Sequence, residues 1–296
     1  MLYMMLTSAA LLLAMDFAMN KIYQKLRGTS SKTSLFFNSV LGLATAIIFF
    51  IVNNFKLSFS PYSAFTAMLM STLVMTYNII GFRILRQGSM AIYSLFLMTG
   101  GMVLPYIWGL VFLNESFSAV RTIGLIIIIV GVSLSNFSGE KINLKQICMC
   151  LAVFVLNGLV SIISKMHQIE INYQCVSTIE FVILGGIFKF FIAGFLFLTF
   201  KNREGQRREK NNFSKSLIVI ILSAVIGVTA YFLQLYGAKS LPATLLYPFI
   251  TGGSIVFSTL IGAVLFKEKF SRKLIISVVL CFAGTIMFIL GMEGIL

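Results

Sequence analysis

Long uncharged runs separated by short charged gaps fill most of the chain. Between charges the runs cover 33–55, 57–82, 87–114, 122–139, 146–164, 216–238, 240–266 and 274–292, each 18 to 28 residues long. About 20 apolar residues span a bilayer core of roughly 30 Å, so each run is long enough to cross. Two more stretches, 2–20 and 174–199, are equally apolar but carry charge, Asp16 in the first and Glu180 and Lys189 in the second. Backbone N–H and C=O groups find no water in lipid, so these runs are helices; a barrel would show short alternating segments. The pattern predicts an all-α polytopic membrane protein with ten transmembrane helices. The expected helices are about 2–20, 33–54, 61–84, 89–112 and 118–136, then 146–165, 174–199, 216–237, 241–265 and 272–291.

Composition agrees. Of 296 residues, 58% are apolar and 11% charged, against about 45–50% and 25% in a globular domain. The 23 basic and 9 acidic residues give +14, which in a soluble protein would point to nucleic acid. Here the basic residues sit in the gaps between apolar runs, so the expected partner is the lipid bilayer of the cell membrane and not nucleic acid. The chain starts without a basic n-region, so its first apolar run is expected to be a retained span and not a signal peptide. Cys148, Cys150, Cys175 and Cys281 lack metal-ligand spacing and are expected to be packing residues. No metal or cofactor site is expected.

The chain repeats itself. Thr99-Gly100-Gly101 recurs as Thr251-Gly252-Gly253, Gly109-x5-Glu115-x2-Ser118 recurs as Gly262-x5-Glu268-x2-Ser271, and Gly131 recurs as Gly284, at offsets of 152 or 153. The expected units are therefore a five-helix repeat at 1–137, a linker at 138–144, and a second repeat at 145–291 with a basic loop at 201–215. Five is odd, so the second repeat enters the membrane in the opposite sense. Two inverted five-helix repeats place a pseudo-two-fold axis in the membrane plane and a site between the halves.

Gly-x5-Glu-x2-Ser/Thr, followed by a glycine sixteen residues after the Glu and closing each half, resembles the EamA-like ten-helix transporters of the drug/metabolite transporter superfamily. The resemblance covers essentially the whole chain and implies a transporter, not an enzyme. The sequence departs from it at Ser277, where the first half has Gly124. Physically, Ser118 and Ser271 are placed to cap the helices that follow, Glu115 and Glu268 to neutralise a helix end, and Gly124, Gly131 and Gly284 to let helices approach closely.

Three of the four prolines, Pro105, Pro242 and Pro248, are expected in helices 4 and 9, which also carry the paired glycines. Both helices should bend, and broken helices at matching positions point to a transporter site. Polar faces support a cavity. Asp16 and Asn20 share a face of helix 1, and Asn157 and Ser161 share one of helix 6. Helix 3 offers Thr76 and Tyr77, helix 4 Tyr93 and Trp108, helix 8 Tyr231 and Gln234, and helix 9 Tyr247. Lys189 lies too deep in helix 7 to reach either surface, and Asp16 is an opposite charge at similar depth, so the two are expected to meet across the cavity. These twelve residues form the candidate substrate-binding set. Few fixed charges favour a small neutral, zwitterionic or amphipathic solute. His167 is expected in a surface link after helix 6.

A gradient-driven transporter is the leading reading, with a lipid-carrier flippase and, behind it, an integral-membrane enzyme as alternatives. Nine scattered carboxylates and one histidine do not make the clustered acid–base set a membrane enzyme needs. No phosphate-binding loop is present, so ATP-driven pumping is unsupported. The choice between monomer and homodimer stays open. The odd-numbered loops hold 18 of the basic residues, against 4 near the even-numbered ones. That bias puts odd loops in the cytoplasm and both termini outside, whereas the resemblance implies both termini inside.

Overall fold

The computed structural model describes residues 2–28, 30–86, 90–136, 144–199, 213–266 and 272–291. They form ten α-helices: α1 (Leu2–Arg27), α2 (Ser31–Val52), α3 (Pro61–Arg86), α4 (Met90–Phe112), α5 (Ala119–Asn136), α6 (Leu144–Ile169), α7 (Thr178–Thr199), α8 (Phe213–Ser240), α9 (Ala243–Phe266) and α10 (Arg272–Leu290). Nine are long and apolar enough to cross a membrane, and α5 contributes a shorter apolar stretch, Ala119–Leu134. The chain is a polytopic membrane protein. Glu268 and Ser271 lie outside the described residues, as do 138–143 of the expected linker and 201–212 of the expected basic loop.

Local chemistry sets the helix ends. Gly28, at φ 80°, supplies the left-handed residue that stops α1, seven residues later than its apolar run alone indicates. Ser30 Oγ accepts from Thr33 N at 3.1 Å and caps α2. Ser60 precedes Pro61, which occupies the first turn of α3, where its missing N–H costs nothing. Helix α7 starts at Thr178, not 174. Ser177 and Glu180 form a capping box: Ser177 N donates to Glu180 Oε2 at 2.9 Å, and Glu180 N donates to Ser177 Oγ at 3.4 Å. Pro242 lies just before α9, not within it, and its carbonyl accepts from Leu245 N and Leu246 N at 3.1 and 3.0 Å.

The packing repeats between the halves. Helix α1 packs on α8 and α9, while its counterpart α6 packs on α3 and α4; α2 pairs with α7, α4 with α9, and α5 with α10. Exchanging each helix with the one five later reproduces these pairs, as a repeat of five helices requires. The pairs α2–α7 and α5–α10 are close glycine seams. A Cβ on Gly42 would come within 2.7 Å of Gly186 O and Phe190 N, and one on Gly284 within 2.7 Å of Gly124 O. Ser277 Oγ donates to Gly131 O at 2.7 Å, so the residue that departs from the glycine pattern adds a hydrogen bond to the α5–α10 seam. The paired glycines serve contacts too. Gly100 and Gly101 receive Phe154 and Asn157 of α6, and Gly252 receives Thr285 of α10.

Neighbouring glycines of α7 give an internal control. A Cβ on Gly186 would meet Ala46 N and Gly42 O at 2.9 Å, while one on Gly185 meets nothing within 4 Å. Gly186→Ala is expected to cost about 1–3 kcal/mol by overpacking. Gly185→Ala is expected to be neutral or slightly stabilising, because alanine favours helix. Thermal unfolding of the two variants in one detergent checks the contrast.

Candidate functional site

Ser223, Gly227 and Tyr231 recur every four residues along α8, with Gln234 three further on, so one face carries all four. Helix α1 packs on this face at its acid. Asp16 Oδ1 accepts from Ser223 Oγ, and Oδ2 accepts from Asn20 Nδ2 at 3.1 Å. Gly227 makes the room, since a Cβ there would stand 2.6 Å from Asp16 Cγ. Lys189 of α7 lies within electrostatic reach of the carboxylate. Asp16, Asn20 and Lys189 are each half-buried.

One turn along α8 from Gly227, Tyr231 begins an aromatic row. Its hydroxyl lies 3.3 Å from Ser164 Oγ. Tyr77 lies within electrostatic reach of both Tyr93 and Tyr231, and Tyr247 within reach of Tyr231. The Tyr93 ring covers Gly81, where a Cβ would come within 2.5 Å of it. Part of the row is engaged in holding helices together. Tyr247 OH donates to Ser161 O at 2.6 Å, and Asn157 Nδ2 donates to Leu97 O at 2.7 Å, tying α6 to α4.

The structure thus gathers ten of the twelve sequence-predicted residues into two neighbouring groups: Asp16, Asn20 and Lys189, then Tyr77, Tyr93, Asn157, Ser161, Tyr231, Gln234 and Tyr247 along α8 and its neighbours. Two stand apart. Thr76 lines a cleft between α3 and α7 of about 460 Å³, and its hydroxyl donates to Thr72 O at 2.8 Å. Trp108 stacks on Phe112 near the end of α4, ring centroids 4.0 Å apart. Its Nε1 is buried without a hydrogen-bond partner among the described residues.

Several charged residues hold the even-numbered connections together. Glu115 reaches past its own turn to cap α9, accepting from Ala243 N at 2.6 Å and Thr244 N at 2.8 Å. Lys165, expected at a surface, is buried and donates to Ala238 O and Leu241 O, both at 2.7 Å, closing the end of α8. Arg121, also counted as a loop charge, is 1% exposed and donates to Thr244 Oγ1 at 3.3 Å and Gly291 O at 3.2 Å. Helix α6 runs four residues past its expected end, so His167 is not in a surface link. It is buried, with Nε2 2.9 Å from Ser63 Oγ and its ring stacked 3.7 Å from that of Phe181. Glu180 also takes Ser58 N at 2.7 Å. These contacts join the α2–α3 and α6–α7 connections. The Ser177-x-x-Glu180 spacing announced one of them; Ser223 and Lys165 carried no local signal.

Residues 144–290 match the family model of the EamA-like transporter family. A solved structure described only as the crystal structure of a protein resembles the chain with a TM-score of 0.75 at 14% identity, over 98% of this chain and 97% of that one. At that identity the likeness shows the fold alone. No curated protein matches the sequence.

Proposed function

Residues 144–290 belong to the EamA-like transporter family, part of the drug/metabolite transporter superfamily, and from that premise we propose that the chain is a gradient-driven transporter of the cell membrane. It moves a small neutral, zwitterionic or amphipathic solute by alternating access. One observation carries the reading: a half-buried acid, Asp16, is held by Ser223 of α8 and by Asn20 beside a row of tyrosines, with Lys189 within electrostatic reach. A charge at membrane depth costs several kcal/mol and persists where it does work. The tyrosines offer apolar faces and hydroxyl tips, the make-up of a small-molecule site.

Alternating access is supported by an asymmetry between the two ends. The even-numbered connections are tied by Glu115, Lys165, His167 and Glu180, and among the described residues no carboxylate or histidine ties the odd-numbered ones. In this reading Asp16 takes up and releases a proton in step with the solute, and Lys189 sets when it does so.

A thermal-shift screen of metabolites on the purified protein selects ligands, since a ligand stabilises the state it binds. Uptake of the selected solute into proteoliposomes is then expected to rise severalfold under an imposed proton gradient. Uptake indifferent to any ion gradient would overturn the reading.

A further inference from the structure

Helices α3 and α7 touch where Ser71 Oγ donates to Gly185 O at 3.3 Å, and further along they part. The cleft between them is lined on α3 by Met75, Thr76 and Ile79 and on α7 by Phe191 and Phe195, whose side chains are 63% and 67% exposed and so face lipid. Its hydroxyl donors are spent on their own helix, Thr72 on Met68 O at 2.9 Å and Thr76 on Thr72 O at 2.8 Å. Walls of this kind have nothing with which to repay the desolvation of a polar solute, but they accept hydrocarbon. A volume of about 460 Å³ lies toward the small end of the ligand-site range of roughly 300–1,000 Å³, as suits a single chain.

The inner end of this cleft approaches the charged site. Lys189, Ile192 and Leu196 follow one another at three and four residues on α7, so they share a flank, and Ile192 and Leu196 line the cleft. Lys189 therefore stands about one helical turn, ~5 Å, beyond the lining. The oxygens of Asp16 are hydrogen-bonded to Ser223 and Asn20, and Lys189 lies within electrostatic reach of them. An ammonium carries three donors, which an anionic group can take. We propose that the cleft holds the apolar tail of a single-chain amphiphile whose anionic head group is received by Lys189. This narrows the substrate class of the site and rests on the transporter reading only for movement of the bound molecule, not for its binding.

Equilibrium binding tests it separately from transport. Trp108 is the sole tryptophan, so Trp108→Phe combined with Phe191→Trp places one fluorophore on the cleft. The same background with Phe282→Trp reports an exposed site on α10 (56% exposed). Brominated dodecanoate, added to the protein in phosphatidylcholine vesicles, is expected to quench the cleft tryptophan saturably and to be displaced by plain dodecanoate. It should quench the α10 tryptophan only in proportion to its concentration. Lys189→Met should raise the half-saturation concentration about tenfold, the loss of a charge-assisted contact. Dodecyltrimethylammonium should not displace the probe. Proportional quenching at both sites would overturn the proposal, and so would saturable quenching that ignores Lys189→Met or the sign of the head group. If Phe191→Trp does not fold, Ile79→Trp reports from the opposite wall. Loss of gradient-driven uptake with saturable binding intact would count against the transport reading alone.

Discussion

Asp16→Asn and Lys189→Met are each expected to cut solute uptake at least tenfold, and the double variant to be no slower than the worse single one. Removing one partner leaves the other charged and inside the bundle, where an uncompensated ion costs about 3–5 kcal/mol. Removing both leaves a neutral pair, so the second substitution adds little. Asp16 also holds Ser223 and Asn20. Asn keeps an acceptor for one of them, which separates loss of charge from loss of packing. Initial uptake rates in proteoliposomes with matched amounts of folded protein give the cycle. Fully additive losses would show that the two residues act independently.

Glu115→Ala is expected to have the largest effect on folding. Its two carboxylate oxygens accept the N–H groups of Ala243 and Thr244, at a helix end whose partial positive charge favours an anion. Two buried cations gather at the same turn: Lys165 closes α8 and feels the Glu115 charge, and Arg121 binds Thr244. Alanine leaves two N–H groups without acceptors and removes the negative charge that the buried Lys165 feels. Two charge-assisted hydrogen bonds are lost, at about 1.5–3 kcal/mol each. Glu115→Gln keeps an acceptor and loses the charge, so its loss is expected to fall between. Detergent-solubilised yield and thermal unfolding rank the three proteins; an alanine variant as stable as the parent would refute the clamp.

The ten helices were legible because spans follow from the distance between charges, and lipid allows one backbone solution. Helix ends were less so. The apolar run of helix 1 ends near residue 20, yet α1 continues to Arg27 because polar side chains can keep a helix going beyond the bilayer until a residue such as Gly28 stops it. The same cause moved His167 from an expected surface link into a buried place on α6. That Asp16 and Lys189 lie within electrostatic reach of each other could be anticipated from depth, which is arithmetic along a helix. The partner Ser223 could not, because it lies 207 residues from Asp16 and one serine among many apolar residues looks like any other. Lys165 and Arg121 counted as loop charges for a related reason: sequence places a cation near a helix end without telling whose carbonyls it closes. With both engaged in the fold, the even-numbered side keeps two of its four basic residues, Lys56 and Lys239, exposed, and the charge asymmetry between the two faces grows.

The two glycine seams have a mechanical meaning. Exchange of the halves maps α2–α7, α5–α10 and α4–α9 each onto itself, whereas it turns α1–α8 into α6–α3 and α1–α9 into α6–α4. A conformer in which each half adopts the other's arrangement therefore rebuilds every contact of the second kind and none of the first. Under the proposed alternating access, Gly42 with Gly186 and Gly124 with Gly284 would be two fixed axles, held by backbone touching backbone, about which the α1–α8 and α6–α3 contacts exchange geometry.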